Sequence, residues 1–174
     1  MVCNNFVVCL WRKCCNFAVM EAPETNVSYR LRKPCKLRHK ALVDPLFGDG
    51  DSLYAYPLRL VWRSVDGETL QKAFRPGFMP KLGKVQMLIS VPKRKLKRAV
   101  DRVLMRRRIR EAYRHLLPEF EAVVERYPVI ATLSLGVVFI ASKPEPYDLV
   151  ERKLAKLLTR LVAELQPSDG EVFK

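Results

Sequence analysis

Seven arginines fall within the seventeen residues RAVDRVLMRRRIREAYR (98–114), and only Asp101 and Glu111 oppose them. A guanidinium is planar, keeps its charge, and grips a phosphate through two parallel hydrogen bonds. Displayed at one-turn intervals on a helix, such groups could meet several phosphates without first ordering a loop. A helix advances about 100° per residue. On that wheel Met105, Ile109, Ala112, Tyr113 and Leu116 gather as a packing face. Arg106, Arg107, Arg110 and Arg114 form an adjoining arc with Arg102 at its margin, and Arg108 points elsewhere as a solvated charge. Like charges one turn apart destabilise an isolated helix by about a few tenths of a kcal/mol each. The arc therefore implies a partner that supplies negative charge.

The charge balance of the whole chain agrees. Its 174 residues suit one domain plus tails, 49% are hydrophobic, and the net charge is +14. Between Lys93 and Arg114 stand eleven Lys/Arg and two acids, so +9 of that charge lies in 22 residues. A footprint this concentrated points to nucleic-acid phosphates. A membrane-seeking basic helix is the weaker reading, because the arginine helix also carries a packing face.

Other chemistry lacks the residues it needs. There is no Walker loop or dinucleotide glycine pattern, and Gly83-Lys84 stands alone. No Ser–His–Asp set assembles, and Asp148 and Glu151 read as the start of the last helix rather than as a metal nuclease pair. Cys3, Cys9, Cys14, Cys15 and Cys35 have neither zinc nor disulfide spacing. They are expected to be free thiols of a reducing cytosol, outside the body of the domain. His39 and His115 are expected to be ordinary surface residues. No catalytic and no metal-binding residue is assigned.

These side chains need elements to position them. Near-helical spacing over 35–47 predicts a first helix with Pro45 as a blemish, closed by the turn GDGDS at 48–52. Alternation over 53–65 predicts strand, with Arg59, Val61 and Arg63 on one face, Pro57 near an end or bulge, and room for a separate short strand at 53–56. Residues 66–84 read as a long mobile loop, and 84–91 as a strand. The connection PKRKLKR leads into a helix from Ala99 or Val100 to about Leu117, with a further turn or two beyond Pro118. A strand within 129–142 and a helix over 149–165, N-capped by Asp148, complete the chain. The order suits an α/β (α+β) sandwich. Residues 1–29 are expected to be a flexible or misassigned extension, since 1–19 make a poor signal peptide and are too interrupted to span a membrane. The domain is placed at 30–165 and a polar tail at 166–174.

LISVPKRKLKRAVDRVLMRRRIREAYR resembles the protein subunit of bacterial ribonuclease P, its Bacteroidetes branch most of all. The family pattern is a strand ending Ser-Val-x-Lys-Lys/Arg, a basic connection, then Arg-Asn-Arg and Arg-x-x-Arg-Glu-Ala-aromatic-Arg. Ser90, Val91, Lys93 and Arg94 match the first part; Arg102, Arg106, Arg107, Arg110, Glu111, Ala112, Tyr113 and Arg114 match the second. The flanks agree, so the resemblance covers about residues 30 to 163.

The resemblance implies an α-β-β-β-α-β-α two-layer sandwich around a four-stranded sheet, with the arginine helix in a left-handed β-α-β crossover. It implies a cytoplasmic accessory subunit of a ribonucleoprotein endonuclease. In that enzyme the RNA subunit, holding Mg2+, removes the 5′ leader of precursor tRNA. The partners are then ribonuclease P RNA and precursor tRNA. RNA-facing candidates are Lys93, Arg94, Lys97, Arg98, Arg102, Arg106, Arg107, Arg110 and Arg114. Phe47 and Ser90 are candidates for a leader cleft between the first helix and the sheet, although the Phe47 ring also suits a core. Two departures stand out: the family Arg-Asn-Arg is Arg102-Val103-Leu104 here, and Val43 replaces an aromatic one turn before Phe47. Val103 and Leu104 are expected to make apolar contact with the RNA or with the basic connection. The alternative function is a non-enzymatic RNA binder of ribosomal or chaperone type.

Overall fold

The computed structural model describes residues 29–165 except 76, 78 and 79. The expected N-terminal extension through residue 28 and the tail from 166 lie outside the described residues. Within them the order is α1 (Lys40–Asp49), β1 (Asp51–Ala55), β2 (Leu58–Val65), α2 (Gly67–Ala73), β3 (Val85–Ser90), α3 (Ala99–Val124), β4 (Thr132–Phe139) and α4 (Tyr147–Leu165). A 3-10 turn, Lys33–Cys35, precedes α1.

The four strands form one sheet in the order β1-β2-β4-β3. β1–β2 and β2–β4 are antiparallel, and β3–β4 is the parallel pair that α3 connects. Alternation sorts the side chains onto two faces. Leu58, Leu60, Val85, Met87, Leu133, Leu135, Val137 and Phe139 join the main core with α3 and α4. Val61 and Val65 face the other way and form a smaller core with Leu42 and Leu46 of α1 and Leu70 of α2.

Three sequence expectations change. The stretch 66–84 is not all loop, because Leu70 is buried against the smaller core and α2 forms around it. The arginine helix does continue about two turns beyond Pro118, as expected: Leu117, Phe120 and Val124 extend its buried stripe, and α3 runs 26 residues. Burial of that stripe outweighs one lost backbone hydrogen bond. Pro45 likewise sits inside α1, which carries on through Gly48 to Asp49. Asp148 lies inside the first turn of α4 rather than capping it.

Cys35 is also a correction. It is a free thiol, yet it is buried in the domain body. Burial pushes its pKa up, and nearby Glu121 adds to the shift.

Candidate nucleic-acid interface

The packing face of α3 is where the wheel put it. Met105, Ile109, Ala112 and Tyr113 are fully buried, and Leu116 packs partly against the same core. That burial fixes the helix rotation, so the opposite side must face outward. Arg106, Arg107 and Arg110 are exposed there, with no side-chain hydrogen bond or ion pair to another described residue. They are free to meet phosphates.

The other arginines of the helix are occupied. Arg114 donates through Nε to Glu111 Oε2 at 3.1 Å and through a second guanidinium nitrogen to Glu111 Oε1. The hydrogen bond from Arg114 holds the Glu111 carboxyl below the usual range. His115 Nε2 lies 3.1 Å from the same carboxylate and its ring meets Tyr29, so His115 is not without partners. Nor is His39, whose ring meets Phe74 edge-on. Arg102 donates to the carbonyls of Leu96, at 2.9 Å, and Lys97, at 2.6 Å. Arg108 corrects the sequence reading: it is half-buried and donates to the Glu145 carbonyl in the loop before α4.

Lys93, Arg94, Lys97 and Arg98 are exposed on the connection between β3 and α3. Ser90 ends β3 immediately before it, half-buried, and pairs with Val138. Two residues back along β4, Gly136 lies beneath Phe47: a Cβ there would stand 3.2 Å from Phe47 Cζ. Phe47 and Ser90 therefore share one sheet face, and Phe47 remains 47% exposed. The phenyl ring covers the sheet without entering the core. The cleft face and the arginine helix lie on opposite sides of the sheet, and the basic connection is anchored on the helix side by Val91 and Leu96.

Sequence reading did not bring Tyr54 into this face. Tyr54 pairs with Arg59, whose guanidinium stands 5.2 Å above its ring. Arg63 reaches Asp49 Oδ2 at 3.4 Å, tying the end of α1 to β2. The signal was present, since alternation had put Arg59, Val61 and Arg63 on one face; what was missing was that α1 lies over it.

Val103 and Leu104 are 42% and 37% exposed and Val100 more so, which leaves an apolar patch beside the free arginines. Among the described residues no helix is long and apolar enough to cross a membrane.

Comparison with known proteins gives this surface a family. Residues 31–162 match the family model described as Ribonuclease P. The ribonuclease P protein component of Porphyromonas gingivalis strain ATCC 33277 is 31% identical over 152 residues, covering 86% of this chain and 96% of that one. The protein of the same description from strain W83 is 30% identical over the same span. Among solved structures, the RNase P protein of Staphylococcus aureus aligns at TM-score 0.49 and 16% identity, covering 74% of this chain and 96% of that one. The Thermotoga maritima RNase P protein aligns at TM-score 0.49 and 19% identity, covering 72% and 96%. On the match over residues 31–162 and the identity with its Porphyromonas relatives, the chain belongs to the ribonuclease P protein family.

Proposed function

We propose that the protein is the accessory subunit of a cytoplasmic ribonucleoprotein, with ribonuclease P RNA as catalyst and precursor tRNA as substrate. The supporting observation is the arrangement of Arg106, Arg107 and Arg110, exposed and unpaired on a helix whose opposite face is fully buried. A packed helix pays no backbone ordering entropy when it meets RNA, only that of its arginine side chains. With Lys93, Arg94, Lys97 and Arg98 it offers a continuous run of phosphate ligands. Phe47 and Ser90 hold the 5′ leader on the other sheet face. There a half-exposed ring can stack on any base, worth about 1–3 kcal/mol.

Magnesium belongs to the RNA subunit in this reading. No three His, Cys, Asp or Glu side chains converge among the described residues. Glu111, the acid nearest the free arginines, is already held by Arg114. The protein's own work is to neutralise phosphates and to position the leader.

The test combines purified protein, the cognate ribonuclease P RNA and precursor tRNA at low magnesium. Stimulated cleavage at the mature 5′ end is expected. Binding without stimulation would favour a structural RNA binder, and cleavage by protein alone would overturn the assignment of the chemistry to RNA.

A further inference from the structure

A second basic surface lies away from the arginine helix. Backbone contacts bring three segments together around the start of β3. The Leu37 N–H donates to Met87 O at 3.0 Å, so 36–37 runs along the β3 edge. The Gly83 N–H donates to Pro34 O at 3.1 Å. A Cβ on Gly83 would stand 3.2 Å from that same oxygen, so a side chain there would crowd the approach. The result is a cavity of about 530 Å3 lined by Arg32, Lys33, Lys36, Arg38, His39 and Lys81, with Gln86 also in its wall. Five cations and no acid line it. Arg32 also feels Glu121; Lys33, Lys36, Arg38 and Lys81 have no ion pair among the described residues.

The wall is polar as well as basic. Gln86 is 1% exposed; its Nε2 donates to Pro34 O at 3.1 Å, and its Oε1 has no hydrogen-bond partner. Its register partner on β4, Ser134, is equally buried with its hydroxyl unpartnered. Buried polar atoms are rarely left unpaired in native proteins. The start of α1, at His39 and Lys40, adds its own dipole, with no acid in the first turn. Gln86 and Ser90 point to the same face of β3 about 13 Å apart, so the cavity continues the face that carries Phe47.

We infer that this cavity binds phosphodiester groups of an RNA strand, held by the five cations that line it. The inference rests on the RNA-binding function proposed for the chain and adds a site to it. The strand could come from the 5′ leader or from the RNA subunit, which offer the same chemistry.

The experiment compares two double variants of equal charge: Arg38→Gln/Lys81→Gln in the cavity and Lys153→Gln/Lys156→Gln on α4, which packs on the opposite face of the sheet. Each is titrated against a single-stranded leader oligoribonucleotide and against ribonuclease P RNA across a salt series. The cavity pair should weaken one of the two RNAs, flattening the salt slope by about 0.7 for each phosphate left without its cation. The control pair should change it far less. The RNA affected identifies the source of the strand. Equal behaviour of the two pairs overturns the cavity, even if inorganic phosphate binds there. Failure of the unsubstituted protein to bind either RNA would instead overturn the function on which the inference rests.

Discussion

The Arg102 guanidinium reaches back from the first turn of α3 to the Leu96 carbonyl, 2.9 Å away, and the same nitrogen bonds the Lys97 carbonyl. An arginine matched to a family RNA-binding position is thus committed to the protein's own backbone. Its role is to hold the basic connection at a fixed angle to the helix. Arg102→Ala should cost about 1–2 kcal/mol, since charged hydrogen bonds to two carbonyls disappear. RNA affinity should fall as well, because the exposed cations of 93–98 lose their fixed placement. Arg102→Lys should recover part of both losses, as a single nitrogen makes both bonds and an ammonium also carries several donors. Chemical denaturation and RNA titration together check this; weakened RNA binding with unchanged stability would mean that Arg102 contacts RNA directly.

Arg106 and Arg110 should behave in the opposite way. Both are exposed and unpaired. Their replacement by Ala should leave stability within about 0.5 kcal/mol. RNA binding should weaken, with the salt slope falling by about 1 for each phosphate no longer neutralised. A collapse in stability with an unchanged slope would make these residues structural.

This contrast marks where sequence reading works and where it stops. Helical periodicity separated Met105, Ile109 and Tyr113 from Arg106, Arg107 and Arg110, because core burial alone sets the rotation of the helix. It put Arg102 at the margin of the arc and Arg108 outside it, but it could not show that these two and Arg114 are held by the rest of the chain. Those three are held by a connection, by the Glu145 loop and by a neighbouring carboxylate. Two of those partners are main-chain carbonyls, which have no signature in side-chain type. The same limit hid the Lys33–Lys81 cavity: its cations are scattered over about fifty residues and converge only through backbone bonds to Met87 and Pro34. At Pro118 two local signals conflicted. Local propensity argued for a stop, while a buried stripe extending to Val124 argued for continuation and prevailed.

Phe47 and Gly136 form a sensitive pair. A methyl at 136 would stand 3.2 Å from the Phe47 ring and 3.3 Å from Leu46 Cδ2. Leu46 is fully buried and cannot retreat, so the exposed ring must move. Gly136→Ala should cost about 1–3 kcal/mol in stability and also weaken binding of a leader oligonucleotide. Phe47→Ala should weaken that binding by about 1–3 kcal/mol. Fluorescence anisotropy with a labelled leader reads both. Unchanged affinity on removing the ring would place Phe47 outside the cleft.

Stability should also carry a pH signature from Glu121. Burial, followed by repulsion from Glu125, raises its pKa, with Arg32 partly opposing. A carboxyl with a raised folded pKa binds its proton more tightly in the folded state. Its contribution is therefore lost as pH rises from the usual carboxylate value through the raised one. Glu121→Gln removes this loss. The variant should be more stable than the parent at pH 7, by less than about 1 kcal/mol given solvent screening, and the gain should vanish toward pH 4. A gain that persists at acid pH would point to packing instead.

Val103 and Leu104 replace two polar family positions, and the structure exposes both side chains beside Arg107. Neither contributes to a core, so Val103→Asn with Leu104→Arg should leave thermal stability within about 0.5 kcal/mol. The RNA readout decides their purpose. An added guanidinium next to three free arginines should strengthen binding and steepen the salt dependence if charge is all that matters here. If the apolar pair instead packs on RNA sugars or bases, the double variant should lose affinity despite its extra charge. We expect the loss, because isolated apolar side chains are ordinary at a surface but three together, with Val100, form a patch within a cationic field. Cleavage at low magnesium by the reconstituted enzyme is the decisive measurement: a large gain would show that the native pair is merely tolerated.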